Sequence, residues 1–488
     1  MRSLWLAAAV ILMPLGAGAA DIGPHASSDD IRAARPLQTP ALKASFTREA
    51  TGEAPESGTL ILAADFNAMT VGDATRLEDF ALCRVVVWAA GAGEIDNQNC
   101  HAGPAFRVME LYNREYLAGL MAEIAPDAPE AQNVPVLAPF WAEQELSVQK
   151  AVSAPLATKV VGDYTEWRLG DEVVARVSTK GFAFTPDEKH SLARYFSRSV
   201  NLHPQIRRAI LDSGQWPQRI EIQRRIGKTP STLVLNFSGF ERGRVDYPLP
   251  PGLSSSLRSR STGAGDEATA LRSVLAVVDG KGPSKPSLES LASDIAAAAS
   301  PRPMEAVTTF FALAQIHYGA LQGDSAGLAK LRSSIGPALQ QAFAAPEAAG
   351  FMTASQLAGE RGKGADREAS ARYLAQATDL DALPYGAFRY VTFANLSNYS
   401  DDSGRWDKTI RAAMPATADC FWRFIAIAPW AANTYNDLGT MLYEGYDMEK
   451  AWEVWDLARA ADPDWKTSML SGVPDLEAKL RRDFPDSF

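Results

Sequence analysis

The sequence predicts a multidomain protein with an α+β N-terminal domain followed by an all-α C-terminal domain. Strand-like segments arranged as hairpins, around 163–178 and 219–237, alternate with helical patterns, which indicates a largely antiparallel sheet with helices. Beyond about residue 250 the strand pattern stops, and apolar residues recur at helical spacing. With 488 residues, the chain is long enough for two or three domains that each have a core.

The first twenty residues have the features of a cleavable signal peptide. Arg2 precedes an apolar run over 4–15, and small residues follow at Ala17–Ala20. That run is too short to span a bilayer comfortably, and no later stretch reaches the required length. We therefore expect residues 1–20 to be removed, with cleavage near Ala19–Ala20, and the protein to be periplasmic or secreted without a transmembrane segment. A lipid anchor is not expected, because the first cysteine is Cys83.

Charge and cysteine content narrow the classes of partner and compartment. The formal net charge of −10 argues against a general nucleic-acid binder, because phosphate backbones attract basic surfaces. In an oxidising compartment Cys83 and Cys100 can close a loop of moderate length, and we predict a disulfide between them. Cys420 lies among aromatic residues and is expected to be a buried core residue.

The first part of the chain is predicted to pass from a leader into the α+β domain. Residues 21–57 are rich in Ala, Pro and Ser without periodicity, so we predict a flexible leader there, with room for a short helix or strand, and an α+β domain over 58–250. The apolar run 83–90 has the β-branched and aromatic residues of a buried strand. A polar loop is predicted over 91–104, followed by a helix over 105–124.

The second part of the α+β domain carries clearer boundary signals. Gly170 and Asp171 predict a hairpin between strands 163–169 and 172–178. Helix starts are predicted at Thr185-Pro186 and at His203-Pro204, since proline is favoured in the first helical turn. Gly214 is expected to end the second of these helices, and two further strands are predicted at 219–226 and 231–237.

The remainder is predicted to be a linker and a helical domain. The Pro- and Ser-rich composition of 251–284 favours a flexible linker. The all-α domain is predicted over 285–488, where short helical patterns follow one another with short connections. They lie at 289–299, 304–321, 327–343, 365–377 and 384–396.

The stretch 429–463 has the most regular pattern in the chain, a pair of helices joined by a turn. The first helix carries its packing residues on one face. Small residues let the two helices approach closely, and large aromatic residues fill the wider gaps between them. Asp447 can cap the second helix, and a proline ends it. The packing positions are Tyr435, Leu438, Gly439, Leu442, Ala451, Trp455, Ala458 and Pro463.

This helix pair resembles the tetratricopeptide repeat, a helix–turn–helix unit of 34 residues. It departs from the family pattern at Leu442, where the family more often has tyrosine, and the resemblance covers about 415–465 only. The resemblance implies stacked repeats that bind a protein or peptide segment in a groove, and we expect such a partner in the cell envelope. Tyr443 and Trp452 fall off the packing positions and are candidates for lining that groove. An ordinary helical hairpin in a larger bundle is the alternative.

Catalytic signatures are sparse. Ser147 and Lys150 match a Ser-x-x-Lys pattern, but the other motifs of penicillin-recognising enzymes are absent from the sequence. The best candidates for catalysis are Glu94, Asp96 and His101 in the predicted polar loop, because a carboxylate beside a histidine can act as an acid–base pair. The loop lacks the spacing of a known calcium motif, and no cofactor or metal is expected.

Three functional hypotheses follow from these patterns. The leading one is a non-enzymatic exported scaffold that binds a protein or peptide through its helical repeats. The second is an exported hydrolase with its site near Glu94, Asp96 and His101. The third is a carrier of apolar ligands, formed by the sheet and helices of the α+β domain.

Overall fold

The computed structural model describes residues 22–36, 38–109, 156–200, 202–226, 229–322, 326–359, 364–398 and 408–488. The predicted signal peptide, the Ser147–Lys150 tetrapeptide and the later part of the predicted helix 105–124 lie outside these ranges. Within them, a mostly antiparallel sheet region over about 38–250 is followed by an all-helical region, so the predicted fold class is confirmed. None of the described helices is both long and apolar enough to cross a membrane.

One large sheet dominates the first half. The strands are β1 Gln38–Ala50, β2 Glu56–Ala63, β3 Phe66–Val71, β4 Ala74–Asp79, β5 Arg84–Ala89, β6 Glu94–Asn99, β7 Ala157–Val161, β8 Tyr164–Leu169, β9 Glu172–Ser178, β10 Gly181–Ala183, β11 Gln215–Pro217, β12 Arg219–Ile226, β13 Thr229–Asp246 and β14 Ser254–Ser255. Among the described residues, twelve of them form one sheet in the order β14-β6-β5-β4-β3-β2-β1-β13-β12-β9-β8-β7. All its pairs are antiparallel except β14 with β6.

Strand β1 corrects the prediction of a flexible leader. It lies in the middle of the sheet between β2 and β13, and Leu42, Ala44 and Phe46 are buried at alternate positions. The prediction over 21–57 was wrong there because Lys43, Ser45 and other outward-facing polar residues dilute the apolar pattern of a half-buried strand. Before it, Ser28–Ala33 forms a short helix, α1, whose N-terminus has a capping box.

Two helices cover one face of the sheet, and both begin where the sequence predicts. Helix α2, Pro186–Tyr195, is capped by Thr185 in a capping box. Helix α3, Pro204–Ser213, is capped by the His203 side chain and ends at Gly214, whose φ of 68° suits glycine. Their apolar residues pack with those of β1, β2, β9, β12 and β13 in one core.

The second half consists of packed helices. They are α4 Ser256–Ser261, α5 Asp266–Val278, α6 Leu288–Ala298, α7 Pro303–Ile316, α8 Ala326–Ala342, α9 Pro346–Gly359, α10 Gly364–Gln376, α11 Phe388–Asn398, α12 Lys408–Ala413, α13 Thr417–Ile427, α14 Ala432–Glu444, α15 Met448–Ala461 and α16 Val473–Asp483. Helices α4 and α5 correct the predicted linker over 251–284. Leu257, Leu271 and Val274 are fully buried in the helical core, so this polar-looking segment is an integral part of the fold.

Helices α14 and α15 form the predicted hairpin. Asp447 accepts a hydrogen bond from Lys450 N and caps α15. Tyr435 and Trp455 are buried, and a Cβ added to Gly439 would lie 2.1 Å from Trp455 Nε1. Only glycine at position 439 therefore allows the tryptophan to lie against α14 at this distance.

Candidate functional site

The predicted polar loop that contains the catalytic candidates is in fact strand β6. It pairs with β5, and its side chains alternate between exposed and buried positions. Glu94 and Asp96 are on the exposed face, while Asn97 and Asn99 are on the buried face. The prediction of a loop over 91–104 was wrong. The polar residues on the inner face of β6 bond to other polar groups inside the protein, whereas in an exposed loop they would have faced solvent.

His101 does not converge with the two acidic candidates. It is buried, whereas Asp96 bonds to Gln98 and Glu94 accepts a hydrogen bond from Ser259. The structure therefore does not assemble Glu94, Asp96 and His101 into one site. The histidine instead lies beside the two cysteines, in a set of contacts that involves the helical half.

Hydrogen bonds fix the tautomer of His101. Asn99 Nδ2 donates to both carboxylate oxygens of Asp456, at 3.0 and 3.2 Å, which leaves Asn99 Oδ1 to accept from His101 Nδ1 at 2.8 Å. His101 Nε2 in turn accepts from Arg481 Nε at 3.1 Å. Burial, together with the charge of the Arg481 guanidinium, lowers the pKa of His101 to about 3. The imidazole is neutral and both ring nitrogens are engaged.

Cys83 and Cys100 lie at disulfide distance, as the sequence predicts, with a Cα–Cα separation of 4.8 Å. Cys83 Sγ is 3.5 Å from His101 Nδ1 and 3.0 Å from Arg481 Nη2. The ligand atoms of Cys83, Cys100 and His101 all lie within 4.8 Å of one another, a spacing at which they could hold a metal. While the two sulfurs are bonded to each other, however, neither can act as the thiolate ligand that such a site needs.

A buried ionic network joins the sheet to helix α15, and we call it the junction: Arg84, Asn97, Asn99, Asp456 and Arg459. Arg84 Nη1 lies 2.6 Å from Asp456 Oδ2, and both side chains are almost fully buried. The other Arg84 nitrogens donate to Asn97, and Arg459 lies 3.1 Å from Asp456 Oδ1. Burial alone would raise the pKa of Asp456, but the charges of Arg84 and Arg459 hold it below its ordinary value.

The two groove candidates, Trp452 and Tyr443, both lie close to the junction. Trp452 is fully buried, packs near His101 and donates from Nε1 to Glu477. It therefore cannot line an open groove, and that prediction was wrong because its face of α15 packs against strand β6. Tyr443 is partly buried, and its ring packs at 5.9 Å from that of Trp452.

A separate opening lies between helix α2 and the sheet, and we call it the cleft. Its volume is about 590 Å³, and most of its surface is apolar. It is lined by Thr39, Pro40, Ala41, Leu62, Ala63, Ala64, Thr185, Asp187, Glu188, Ser191, Arg242, Gly243 and Arg244. The cleft is about half open to solvent, and its volume falls within the range of small-molecule sites.

One wall of the cleft is held rigidly. Arg242 donates to both carboxylate oxygens of Glu188 at 2.8 Å, and its guanidinium lies over the Phe182 ring. Glu188 also accepts from Thr185 N at the start of α2. Partial burial would raise the pKa of Glu188, but the hydrogen bonds from Arg242 and Thr185 N lower it. Arg242 therefore has a structural role and is not available to a ligand.

A second arginine on the rim is not committed in this way. Arg244 donates from Nη2 to Gln38 O at 3.2 Å and forms no ion pair with any other described residue. It follows Arg242 by two residues on β13, so both side chains project from the same face of the sheet. The cleft thus combines a mostly apolar surface with the guanidinium of Arg244 and the carboxylate of Asp187 at its rim.

Sequence reasoning missed the residues that define the junction and the cleft. Arg84, Asp456 and Arg244 match no motif, and their partners lie far away in the chain. One local signal was present, because Arg242 and Arg244 are two residues apart and so lie on the same face of a strand. Recognising it would have required the correct extent of β13.

No protein-family model matches the chain, and no curated protein is significantly similar to it. The resemblance of about 415–465 to the tetratricopeptide repeat stays a prediction from the sequence.

Proposed function

We propose that the protein is an exported binding protein whose cleft holds an apolar molecule that carries an anionic group. The observation that carries the proposal is the mostly apolar cleft of about 590 Å³ with the unpaired Arg244 on its rim. Apolar contacts would supply most of the affinity, and the guanidinium would orient the anionic end. Export is supported by the predicted signal peptide and by the cysteine pair at disulfide distance.

The surrounding structure favours binding without large movement. The bidentate Arg242–Glu188 pair fixes helix α2 relative to β13, so the opening is preformed. A preformed cleft loses little ordering entropy when a ligand enters. An apolar chain ending in a carboxylate or sulfonate fits this combination of floor and rim.

Native mass spectrometry of the freshly purified full-length protein, followed by titration with dodecanoate, tests the proposal. We expect a co-purifying amphiphile or saturable dodecanoate binding, weakened about tenfold or more in Arg244→Gln because a charge-assisted hydrogen bond is lost. Arg48→Gln is the matched control, since Arg48 is an exposed arginine of the central strand β1 outside the cleft. Ala64→Phe, at an exposed position on the cleft wall, should reduce binding by occupying space.

The proposal would be wrong if dodecanoate does not bind, or if Arg244→Gln and Arg48→Gln bind it equally well. Dodecanol, which has the same apolar length without the charge, separates the two contributions. It should bind more weakly than dodecanoate to the wild type and equally well to wild type and Arg244→Gln.

A second candidate function is docking of a protein or peptide on the helical half. The α14–α15 hairpin favours it, since repeats of this kind offer surfaces to other chains. One face of α15 is already covered by β6, so a partner would have to contact the opposite side, near the exposed Tyr446 in the turn. Affinity capture with full-length wild type and Tyr446→Ala tests this, and an envelope protein lost only with the variant would support it.

A further inference from the structure

We propose that Cys83 and Cys100 form a redox-active pair that undergoes thiol–disulfide exchange with a dithiol partner, and that Cys83 is the sulfur attacked. This activity is independent of the proposed ligand binding in the cleft. The proposal rests on the different exposure of the two cysteines and on the placement of Arg481.

The two cysteines differ in access. Cys83 is only partly buried, whereas Cys100 is 3 % exposed and covered by the polypeptide. An incoming thiolate therefore reaches Cys83 first, and Cys100 is the leaving sulfur. A purely structural disulfide needs no such asymmetry, while exchange requires one accessible sulfur.

Arg481 provides the charge that stabilises a thiolate on Cys83. Its Nη2 lies 3.0 Å from Cys83 Sγ and 3.9 Å from Cys100 Sγ, so the guanidinium is aimed at the accessible sulfur. The neutral His101 also lies beside Cys83, with its Nδ1 3.5 Å from Cys83 Sγ. Because the imidazole carries no charge, it does not oppose the effect of Arg481 on the sulfur. A cation beside a cysteine favours the thiolate form and with it the reactivity of the sulfur.

The other charged groups around the pair have partners of their own. The groups that face it from neighbouring elements are Glu78, Arg84, His101, Arg198, Asp456, Arg459, Glu477 and Arg481. Arg84 pairs with Asp456, Arg198 with Glu78, and Arg459 with Glu477. Arg481 forms no ion pair with a described carboxylate: Glu477 acts on it only from beyond ion-pair distance, whereas Cys83 Sγ lies 3.0 Å from its Nη2.

The exchange balances as follows. A thiolate of the partner dithiol attacks Cys83 Sγ, the bond between the two cysteine sulfurs breaks, and its electron pair leaves on Cys100, which takes up a proton. The second thiolate of the partner then attacks the partner's first sulfur, which is bonded to Cys83 in the mixed disulfide. The electron pair of that bond leaves on Cys83 as a thiolate beside Arg481. Two electrons pass from the partner, which becomes a disulfide, to the cysteine pair, which becomes reduced.

Alkylation kinetics of the full-length protein test this. The protein is reduced with dithiothreitol under native conditions, and the iodoacetamide reaction of each cysteine is followed by peptide mass spectrometry against pH. We expect Cys83 to react about tenfold or more faster than Cys100 near neutral pH, with a midpoint clearly below the ordinary cysteine pKa of about 8.5. Cys420, the buried free cysteine, is the internal control and should stay unreactive.

Variants of α16 distinguish a charge effect from a structural one. Arg481→Gln should raise the Cys83 midpoint by about one pH unit, Arg481→Lys should restore most of the shift, and Arg482→Gln, an exposed neighbour, should change nothing. The proposal is overturned if the pair resists dithiothreitol until the protein unfolds. It is equally overturned if Cys83 titrates at its ordinary pKa, or if all three variants give the wild-type midpoint.

Discussion

The junction and the cleft use arginine and carboxylate side chains for opposite purposes. In the junction Arg84 and Asp456 are buried, 2.6 Å apart, and the other Arg84 nitrogens donate to Asn97. On the cleft rim Arg244 is exposed and has only one backbone acceptor. Charges that are buried and paired hold two halves of a protein together, whereas a charge left unpaired beside an apolar cavity is available to a ligand.

The difference is also one of distance along the chain. The junction joins strands β5 and β6 to helix α15, more than three hundred residues later, and so makes the sheet and the helices one unit. The cleft is built within the sheet half, from β1, β2, β13 and α2. Changes at the junction should therefore act on stability, and changes at the cleft rim on binding.

The largest effect is expected from breaking the junction. Asp456→Ala leaves Arg84 buried without a carboxylate, and we expect the free energy of unfolding to fall by about 3–5 kcal/mol. Glu368→Ala is the control, since it removes an exposed i,i+4 pair with Arg372 on α10 and should cost about 0.5 kcal/mol or less. Urea unfolding followed by circular dichroism measures both, and similar losses in the two variants would contradict the structural role of the junction.

The pH dependence of stability tests the same region. The pKa of His101 is about 3 in the folded state and near 6.5 in the unfolded chain, which therefore binds an additional proton between these values. Stability contributed by the neutral histidine is complete above about pH 6.5 and is lost as the pH falls towards 3. The loss is at most about 1.4 kcal/mol per pH unit.

Unfolding measured in wild type and His101→Gln at several pH values between about 7 and 4.5 checks this prediction. The variant should show a shallower loss of stability on acidification, since one proton less is taken up on unfolding. His203, whose pKa burial lowers to about 4, contributes in the same direction and is present in both proteins. Parallel curves for the two proteins would show that His101 is not held neutral in the folded state.

An effect of intermediate size is expected where α14 meets α15. Gly439→Ala places a Cβ against the buried Trp455 indole, and we expect a loss of about 1–3 kcal/mol despite the better helix propensity of alanine. Gly350→Ala in α9 is the matched control, because its Cβ would make ordinary van der Waals contact with Tyr373 at 3.6 Å, and it should be neutral or slightly stabilising. If both variants were stabilised, the close packing of the two helices would be disproved.

Local signals explain how much of the fold could be predicted. Thr185-Pro186, Gly170 and Asp447 act through contacts within a few residues, and the structure confirms each boundary they predict. Strand β1 was missed because its pairing partner β13 lies about two hundred residues away and its polar face hid the alternation. Short-range patterns contain little information about such pairings.

The candidate sites were harder to predict for the same reason. His101 stood out by its type, but its hydrogen bonds depend on Asn99, Asp456 and Arg481, of which two come from the helical half. Trp452 looked available because the helix pair was considered alone, without the sheet that covers it. The cleft requires the relative positions of a helix and three strands, which no local pattern provides.

The smallest effect on stability, and the most direct test of the binding account, concerns Arg244. Thermal unfolding of wild type, Arg244→Gln and Arg48→Gln is measured with and without dodecanoate, below its micellar concentration and at about a hundred times the wild-type Kd. Without ligand, we expect the three proteins to agree within about 0.5 kcal/mol. With ligand, wild type and Arg48→Gln should gain about 2.7 kcal/mol and Arg244→Gln about half of that or less. Equal gains in all three proteins, or no gain in the wild type, would contradict the account.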